Sequence, residues 1–279
     1  MEQAEKKSSS ISVRNLVEFI LRSGDLDNRR LSGAQKDAML AGGRIHRKIQ
    51  KRMGAGYQAE VSLRHQETDP EEGLTLLVEG RADGIFEEDG QWYIDEIKGM
   101  YADVARFSEP FPLHLAQAMC YGYFYCCDHE LEEIGIQLTY CSLEREEIKR
   151  FRSRHTREEL CQWFQGVIRE YFKWARYQYC HRESRDQSIR GLEFPFPYRA
   201  GQRDLVVSVY RAISRKKRLF IQAPTGIGKT LSAIFPAVKA VGEEKGDKIF
   251  YLTAKTVTRT VAEEAFRILR SLGLTFTSV

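Results

Sequence analysis

The sequence predicts two α/β units in tandem, and three observations carry that prediction. Residues Leu74 to Ile97 read as a β-hairpin with helical patterns before and after it. Residues 219–230 read as a short buried strand running through APTGIGKT into a helix. Between the two, ESRDQSIRGLEFPFPYR is polar and then carries Pro195 and Pro197, as a linker does. The expected domains are residues 1–190 and 191–279, in keeping with the usual length of about 150 residues per domain.

Composition narrows the class. With 42% hydrophobic and 29% charged residues, the chain can bury ordinary globular cores. A net charge of +4 is compatible with nucleic acid without arguing for it. No apolar run approaches the roughly 18 residues of a membrane span, so no membrane partner is expected. The opening MEQAEKKSSS is followed by no apolar stretch of the secretory kind. The 6 cysteines include no CxxC pair, so reduced thiols in a cytoplasmic protein are expected.

Taken in order, Ser12 can cap a helix carrying Val13, Leu16, Val17, Ile20 and Leu21, which stops near Gly24. A second helix is expected from about Ser32 to Met53, with Met39, Leu40 and Ile45 on its apolar side. Gly42 and His46 share a face of it, and the glycine permits close approach of a neighbour. On spacing alone, a lone histidine on such a face is more often a core residue than a ligand. Tyr57 to His65 alternates as a strand.

The hairpin comes next, with Leu74, Leu76, Val78, Ile85 and Phe86 on its first strand. Asp89 and Gly90 make its turn, and Trp92, Tyr93, Ile94 and Ile97 lie on its second strand. Alternation puts Glu96 and Lys98 on one face and Asp95 on the other, while Asp83 sits on the partner strand. Such a set can bind a divalent cation and position a water, or simply form the wet face of a sheet; the acids alone favour neither. Pro110 and Pro112 introduce a helix presenting Gln117 and Tyr121 on one side, and Ile134 to Leu143 alternates as a further strand.

From Arg145 to Arg190 cations and aromatics mix, a pattern able to grip phosphates and stack on bases. Composition alone favours an amphipathic helix with a solvated basic side. Beyond the linker, helices at Gln202–Ile213 and Val257–Leu272 alternate with buried strands at Leu219–Ile221 and Lys248–Thr253, and a third strand starts at Leu274. Alternation of this kind predicts a parallel sheet.

The stretch Ala223 to Thr230 is a phosphate loop in its required strand–loop–helix context. Gly226 and Gly228 let backbone N–H groups wrap phosphate oxygens, Lys229 reaches the β/γ phosphates and Thr230 the Mg²⁺. ATP with Mg²⁺ is the expected ligand. The acids from Leu231 onward follow no buried strand, so hydrolysis by these 279 residues alone is not expected.

Two resemblances gather these residues. Ala223, Gly226, Gly228, Lys229 and Thr230 resemble motif I of superfamily 2 helicases. IFYLTAKTVTRTVAEE resembles motif Ia of the XPD/DinG group, and Tyr198-Arg199 with Gln202 is similar to its adenine-sensing element. The resemblance implies a partial RecA-like motor domain that would move on single-stranded DNA; the acidic DEAH-type motif and later motifs are not in this sequence. The first domain resembles the RecB-like branch of PD-(D/E)XK nucleases. Gly42 to His46 matches GxxxH, Asp83 the isolated acid, Glu96-Ile97-Lys98 the E-x-K, and Gln117 to Tyr121 the QxxxY helix.

By that resemblance, His46, Asp83, Glu96 and the Ile97 carbonyl would hold Mg²⁺ or Mn²⁺. Lys98 would activate water, and Gln117 and Tyr121 would position the DNA backbone. The fold implied is a restriction-endonuclease-like α/β core. No cysteine precedes Cys120, so the iron–sulfur cluster of some relatives is not expected. The expected function is the N-terminal part of a nuclease–helicase acting on DNA; the alternative is a non-cleaving DNA-binding module that loads the motor. Asp95 is expected to be structural, paired with an arginine.

Overall fold

The computed structural model describes residues 7–24, 34–224, 226–254 and 256–277, in two compact units, Met1–Arg176 and Tyr177–Val279. The expected helix start at Ser32, the side chains of Met39, Leu40 and Val257, the loop residue Thr225 and the end of the third expected strand lie outside the described residues.

The first unit is built on a six-stranded mixed sheet. Its elements are β1 (Ser8–Ser12), α1 (Val13–Leu21), α2 (Ala34–Arg52), β2 (Gln58–Thr68), β3 (Thr75–Glu88), β4 (Gln91–Met100), α3 (Pro112–His129), β5 (Glu133–Ser142), β6 (Ile148–Thr156) and the first part of α4 (Arg157–Arg190), whose residues from Tyr177 on belong to the second unit. Local chemistry fixes several boundaries. The Ser12 hydroxyl accepts the Asn15 N–H at 3.2 Å and caps α1. Asp89 and Gly90 take φ of 52° and 79°, the two left-handed residues that a tight hairpin turn needs. Pro112 opens α3, where a missing N–H costs nothing, and Glu130 in the left-handed region ends it.

The sheet contains a fork. β3 pairs antiparallel with β2 along one edge. Its other edge is shared: β1 runs parallel to Thr75–Glu79, and β4 runs antiparallel to Gly84–Glu88. Past the Gly84–Asp95 pair, β4 leaves β3 and continues to Met100 as the parallel partner of β5. The helix α2 lies on β4 and β5 through Ile45, Ile49, Ile97 and Cys141. Gly42 permits this, since its Cα lies 3.5 Å from where a Cβ on Gly99 would be.

β1 and β6 depart from the sequence reading, which left both out. The SSSIS of β1 is too short and polar to signal a strand, and pairing with β3 makes it one. In β6 the arginines at 150, 152 and 154 alternate with Lys149, Phe151, Ser153 and His155, so only tertiary pairing with β5 reveals it. The helix α4 also runs to Arg190, through residues that composition marks as linker. Ile189 and Leu192 are buried in the second unit's core, and the Lys239 ammonium donates to the carbonyls of Ile189, Arg190 and Leu192 at 2.9, 3.1 and 3.3 Å.

The second unit contains α5 (Gln202–Ser214), α6 (Lys229–Gly242) and α7 (Thr256–Ser271), with a core of Val206, Ile234, Phe235, Val238, Ala265 and Leu269. Here the expected parallel sheet is corrected. Among the described residues, 219–221 and 248–253 make no ladder, and Phe220 and Leu252 are exposed at 93% and 90%. Apolar runs supply the composition of buried strands, but a strand exists only through a ladder with a partner strand, and among the described residues no such ladder is formed here. Leu274 is buried in the helical core and likewise enters no strand.

Candidate functional site

The fork leaves backbone groups without ladder partners, and one sequence-predicted residue, Asp83, answers that need. Asp83 accepts the Ile97 N–H on its Oδ2 at 2.7 Å, replacing the rung that β3 would have supplied. The Tyr121 ring lies against the backbone of β3 at Gly80. It packs so closely that a Cβ at Gly80 would lie 2.6 Å from its oxygen, so only glycine fits there. Across the fork, His46 Nδ1 on α2 stands 3.4 Å from Asp83 Oδ1.

Glu96 and Lys98, on the same face of β4, meet directly: Lys98 Nζ donates to Glu96 Oε1 at 2.6 Å. The other oxygen of Glu96 is buried without a hydrogen-bond partner, as is Oε1 of Gln117 on α3. A buried carboxylate oxygen left in this way costs free energy of about 1–3 kcal/mol or more.

Burial pushes the Glu96 carboxyl up to about 7; Lys98 works against the rise and Asp83 adds to it. Burial alone would lower the His46 ring, but its hydrogen bond to Asp83 and that carboxylate's charge outweigh burial and raise it. His46, Asp83, Glu96 and Lys98 thus act on one another electrically as a single group.

Asp95 is separate from this group. Its carboxylate is fully buried and takes hydroxyl donors, Thr139 Oγ1 at 2.6 Å and Tyr57 Oη at 3.1 Å, rather than the arginine that the sequence suggested. Burial raises its carboxyl, with the bonds from Thr139, Gln137 and Tyr57 opposing. Gln50 on α2 donates to the carbonyl of Asp83 at 2.9 Å. Tyr57 and Gln50 escape sequence reasoning. The one available signal is Gly84, a glycine inside a strand, which marks a close approach.

The metal set expected from the sequence is brought to one place without closing into a cage. Among the described residues, no three His, Cys, Asp or Glu side chains converge as a ligand set. The reason is visible: Glu96 turns to Lys98, and Asp83 divides itself between His46 and the Ile97 amide. In kind, the donors fit a hard divalent ion, with two carboxylates, an imidazole, a nearby backbone carbonyl and one orphaned buried oxygen.

In the second unit, Gly226 and Gly228 take φ of 87° and 79° and lead into α6, whose first residue is Lys229. The Lys229 ammonium bonds the loop's own carbonyls, Ala223 at 3.0 Å and Pro224 at 2.8 Å. Gln202 is buried and bridges: its Oε1 accepts the Arg199 N–H and its Nε2 donates to the Ile227 carbonyl, both at 3.0 Å. Arg199 also donates to the Gly226 carbonyl. Thr230 lies 3.5 Å from the Tyr251 hydroxyl. A glycine loop entering a helix N-terminus, with a lysine inside it, is the architecture of a nucleotide phosphate site.

Residues 202–279 match the DEAD/DEAH box helicase family. A 47-residue stretch is 40% identical to the probable ATP-dependent helicase MJ0942 of Methanocaldococcus jannaschii, covering 16% of this chain and 7% of that protein. Two solved structures resemble the chain more loosely. SSO0001 has a TM-score of 0.37 at 19% identity, over 60% of this chain and 77% of that one. An alkaline exonuclease, LHK-Exo, from Laribacter hongkongensis has a TM-score of 0.33 at 11% identity, over 61% of this chain and 91% of that one. Both scores lie well under one half, so neither likeness bears on the site. Among the described residues, no helix is long and apolar enough to cross a membrane.

Proposed function

We propose that this chain is part of a DNA-processing enzyme in which a metal-dependent nuclease, residues 1–190, is joined to the start of an ATP-driven helicase motor, residues 191–279. The second half of the reading is supported by the helicase-family match and the phosphate loop. The first half is carried by one observation: a buried carboxylate with an unpartnered oxygen, Glu96, bonded to Lys98 beside the Asp83–His46 pair.

His46, Asp83, Glu96 and the Ile97 carbonyl would hold Mg²⁺ or Mn²⁺. Such an ion, when bound, supplies positive charge to the scissile phosphate and acidifies a water. Lys98, now on Glu96, would orient that water, and its charge would offset the negative charge gained by the phosphate. Gln117, with its unpaired buried carbonyl oxygen, has an acceptor to spare for a ligand at the site, whereas the Tyr121 hydroxyl packs against Gly80 of β3. In the second unit, ATP would draw Lys229 from the loop carbonyls to its β/γ phosphates, Thr230 would meet the Mg²⁺, and Gln202 would read the adenine.

Cleavage of single- and double-stranded DNA with Mn²⁺ or Mg²⁺ tests the nuclease half. Activity that survives both Glu96→Ala and Lys98→Ala would rule this site out. A second reading, a DNA-binding module that loads the motor without cutting, draws on the exposed arginines at 150 and 154 of β6. Metal-independent DNA binding with no cleavage of any substrate would favour it.

A further inference from the structure

Asp83 stands at a position of β3 that has no register partner in either neighbouring strand. On the β4 side pairing ends at Gly84–Asp95, and on the β2 side Asp83 has no partner between the Ala82–Val61 and Gly84–Ala59 pairs. The sheet holds its two neighbours, Ala82 and Gly84, through β2, but gives Asp83 itself no register partner. Two side chains outside every recognised motif hold it instead. Gln50 donates through Nε2 to the Asp83 carbonyl at 2.9 Å and to Glu60 Oε1 at 3.1 Å. Tyr57, just after α2, donates its hydroxyl to Asp95 at 3.1 Å.

Its ring covers Gly84, where an added Cβ would meet the hydroxyl oxygen at 1.8 Å. Asp95 is itself fixed by Thr139 at 2.6 Å. Tyr57 therefore pins the last rung before the fork, and Gln50 pins the residue that follows it.

We propose that Tyr57 and Gln50 are positioning residues that hold Asp83 in the fork, with its carboxylate between the Ile97 amide and His46. The catalytic consequence rests on the nuclease reading; the positioning itself does not. A glutamine and a tyrosine at these places touch no substrate. They restrict the backbone of a residue that has no register partner, which is how supporting residues sharpen a metal or catalytic site.

The test uses the full chain as Tyr57→Phe and Gln50→Leu, with three readouts, the first being the urea unfolding midpoint. Amide exchange by NMR follows the Ile97 N–H, whose acceptor is Asp83. Cleavage of DNA oligonucleotides with Mn²⁺ gives kcat and KM. The expected result is faster Ile97 exchange than at neighbouring β4 amides, and kcat lower by about tenfold with KM within about twofold. Ile97 exchange unchanged in both variants overturns the proposal. So does a loss of kcat that merely tracks a lowered unfolding midpoint while Ile97 exchanges no faster than its neighbours. If the native chain cuts no DNA, the nuclease reading fails alone, and faster Ile97 exchange in Tyr57→Phe still supports the positioning role.

Discussion

The carboxylate of Asp83 on β3 accepts the backbone N–H of Ile97 on β4 at 2.7 Å, so one side chain does the work of a missing ladder rung. That gives Asp83 two separable duties, to the sheet and to the chemistry. Asp83→Asn keeps an acceptor for the amide and loses the charge; Asp83→Ala loses both. Denaturant unfolding should therefore place Asp83→Ala below Asp83→Asn by about 1–2 kcal/mol, the cost of an unsatisfied buried N–H. Metal-dependent cleavage should be lost in both. Equal stability of the two variants would show that the Ile97 amide finds another partner.

Metal binding should appear as added stability. A ligand at about 100 times its Kd raises unfolding free energy by about 2.7 kcal/mol. Mn²⁺ is expected to raise the melting temperature of the native chain, and chelation with EDTA to abolish both that rise and DNA cleavage. In Glu96→Gln the rise should shrink sharply, because the orphaned Oε2 is exchanged for an uncharged group. A Mn²⁺-induced rise that is undiminished in Glu96→Gln would place the ion elsewhere.

His114 on α3 predicts an acid-side loss of stability. Its Nδ1 lies 3.2 Å from the Tyr140 hydroxyl, and burial, with Lys98 and Arg14 adding, pushes the ring down to about 4. The unfolded ring titrates near 6.5. Between those two values the unfolded chain binds a proton that the folded chain refuses, so stability falls as pH drops from 6.5 toward 4. The part owed to this ring is on the order of 2 kcal/mol after allowing for its partial exposure. Urea midpoints across that window should flatten in His114→Gln relative to the native chain.

For the second unit, Lys229→Ala should weaken binding of a fluorescent ATP analogue by at least about tenfold, equivalent to roughly 1.4 kcal/mol. Among the described residues its ammonium bonds the carbonyls of Ala223 and Pro224, on the same loop, so the melting temperature should barely move. Native affinity in Lys229→Ala would contradict the phosphate-loop assignment.

What could be read in the sequence was what local chemistry dictates. The Asp89–Gly90 turn, the Ser12 cap and the proline opening of α3 follow from residue types and are seen as such. The facing of Glu96 and Lys98 follows from strand alternation. What could not be read depends on distant partners. β1 and β6 are polar strands whose identity comes from β3 and β5, while the apolar runs near Phe220 and Leu252 make no ladder. The fork is the deepest case. No periodicity announces that β4 leaves β3 at Asp95, so Tyr57, Gln50 and the packing of Tyr121 on Gly80 emerge only with the sheet.

Arg176 near the middle of α4 offers a test of how that helix is fastened to the first unit. Its Nε and Nη2 donate to the two oxygens of Asp69, each at 2.6 Å, and Nη1 reaches Glu71. Asp69 is enclosed in the β2–β3 turn and also takes the Glu71 and Glu72 amides at 3.4 and 3.3 Å. Removing the guanidinium strands a buried carboxylate, whereas neutralising both partners does not. Arg176→Met should therefore be clearly destabilised, and the double variant Asp69→Asn with Arg176→Met should recover much of the loss. Arg176 holds the Asp69 carboxyl below its ordinary range, so this stabilisation is present above the ordinary carboxylate pKa. It is lost as pH falls through the lowered value, and the gap between native and Arg176→Met midpoints should close in acid. A gap that stays constant from neutral pH into strong acid would mean that α4 is held by its apolar face, through Phe164, Ile168 and Phe172, and not by this fork of charges.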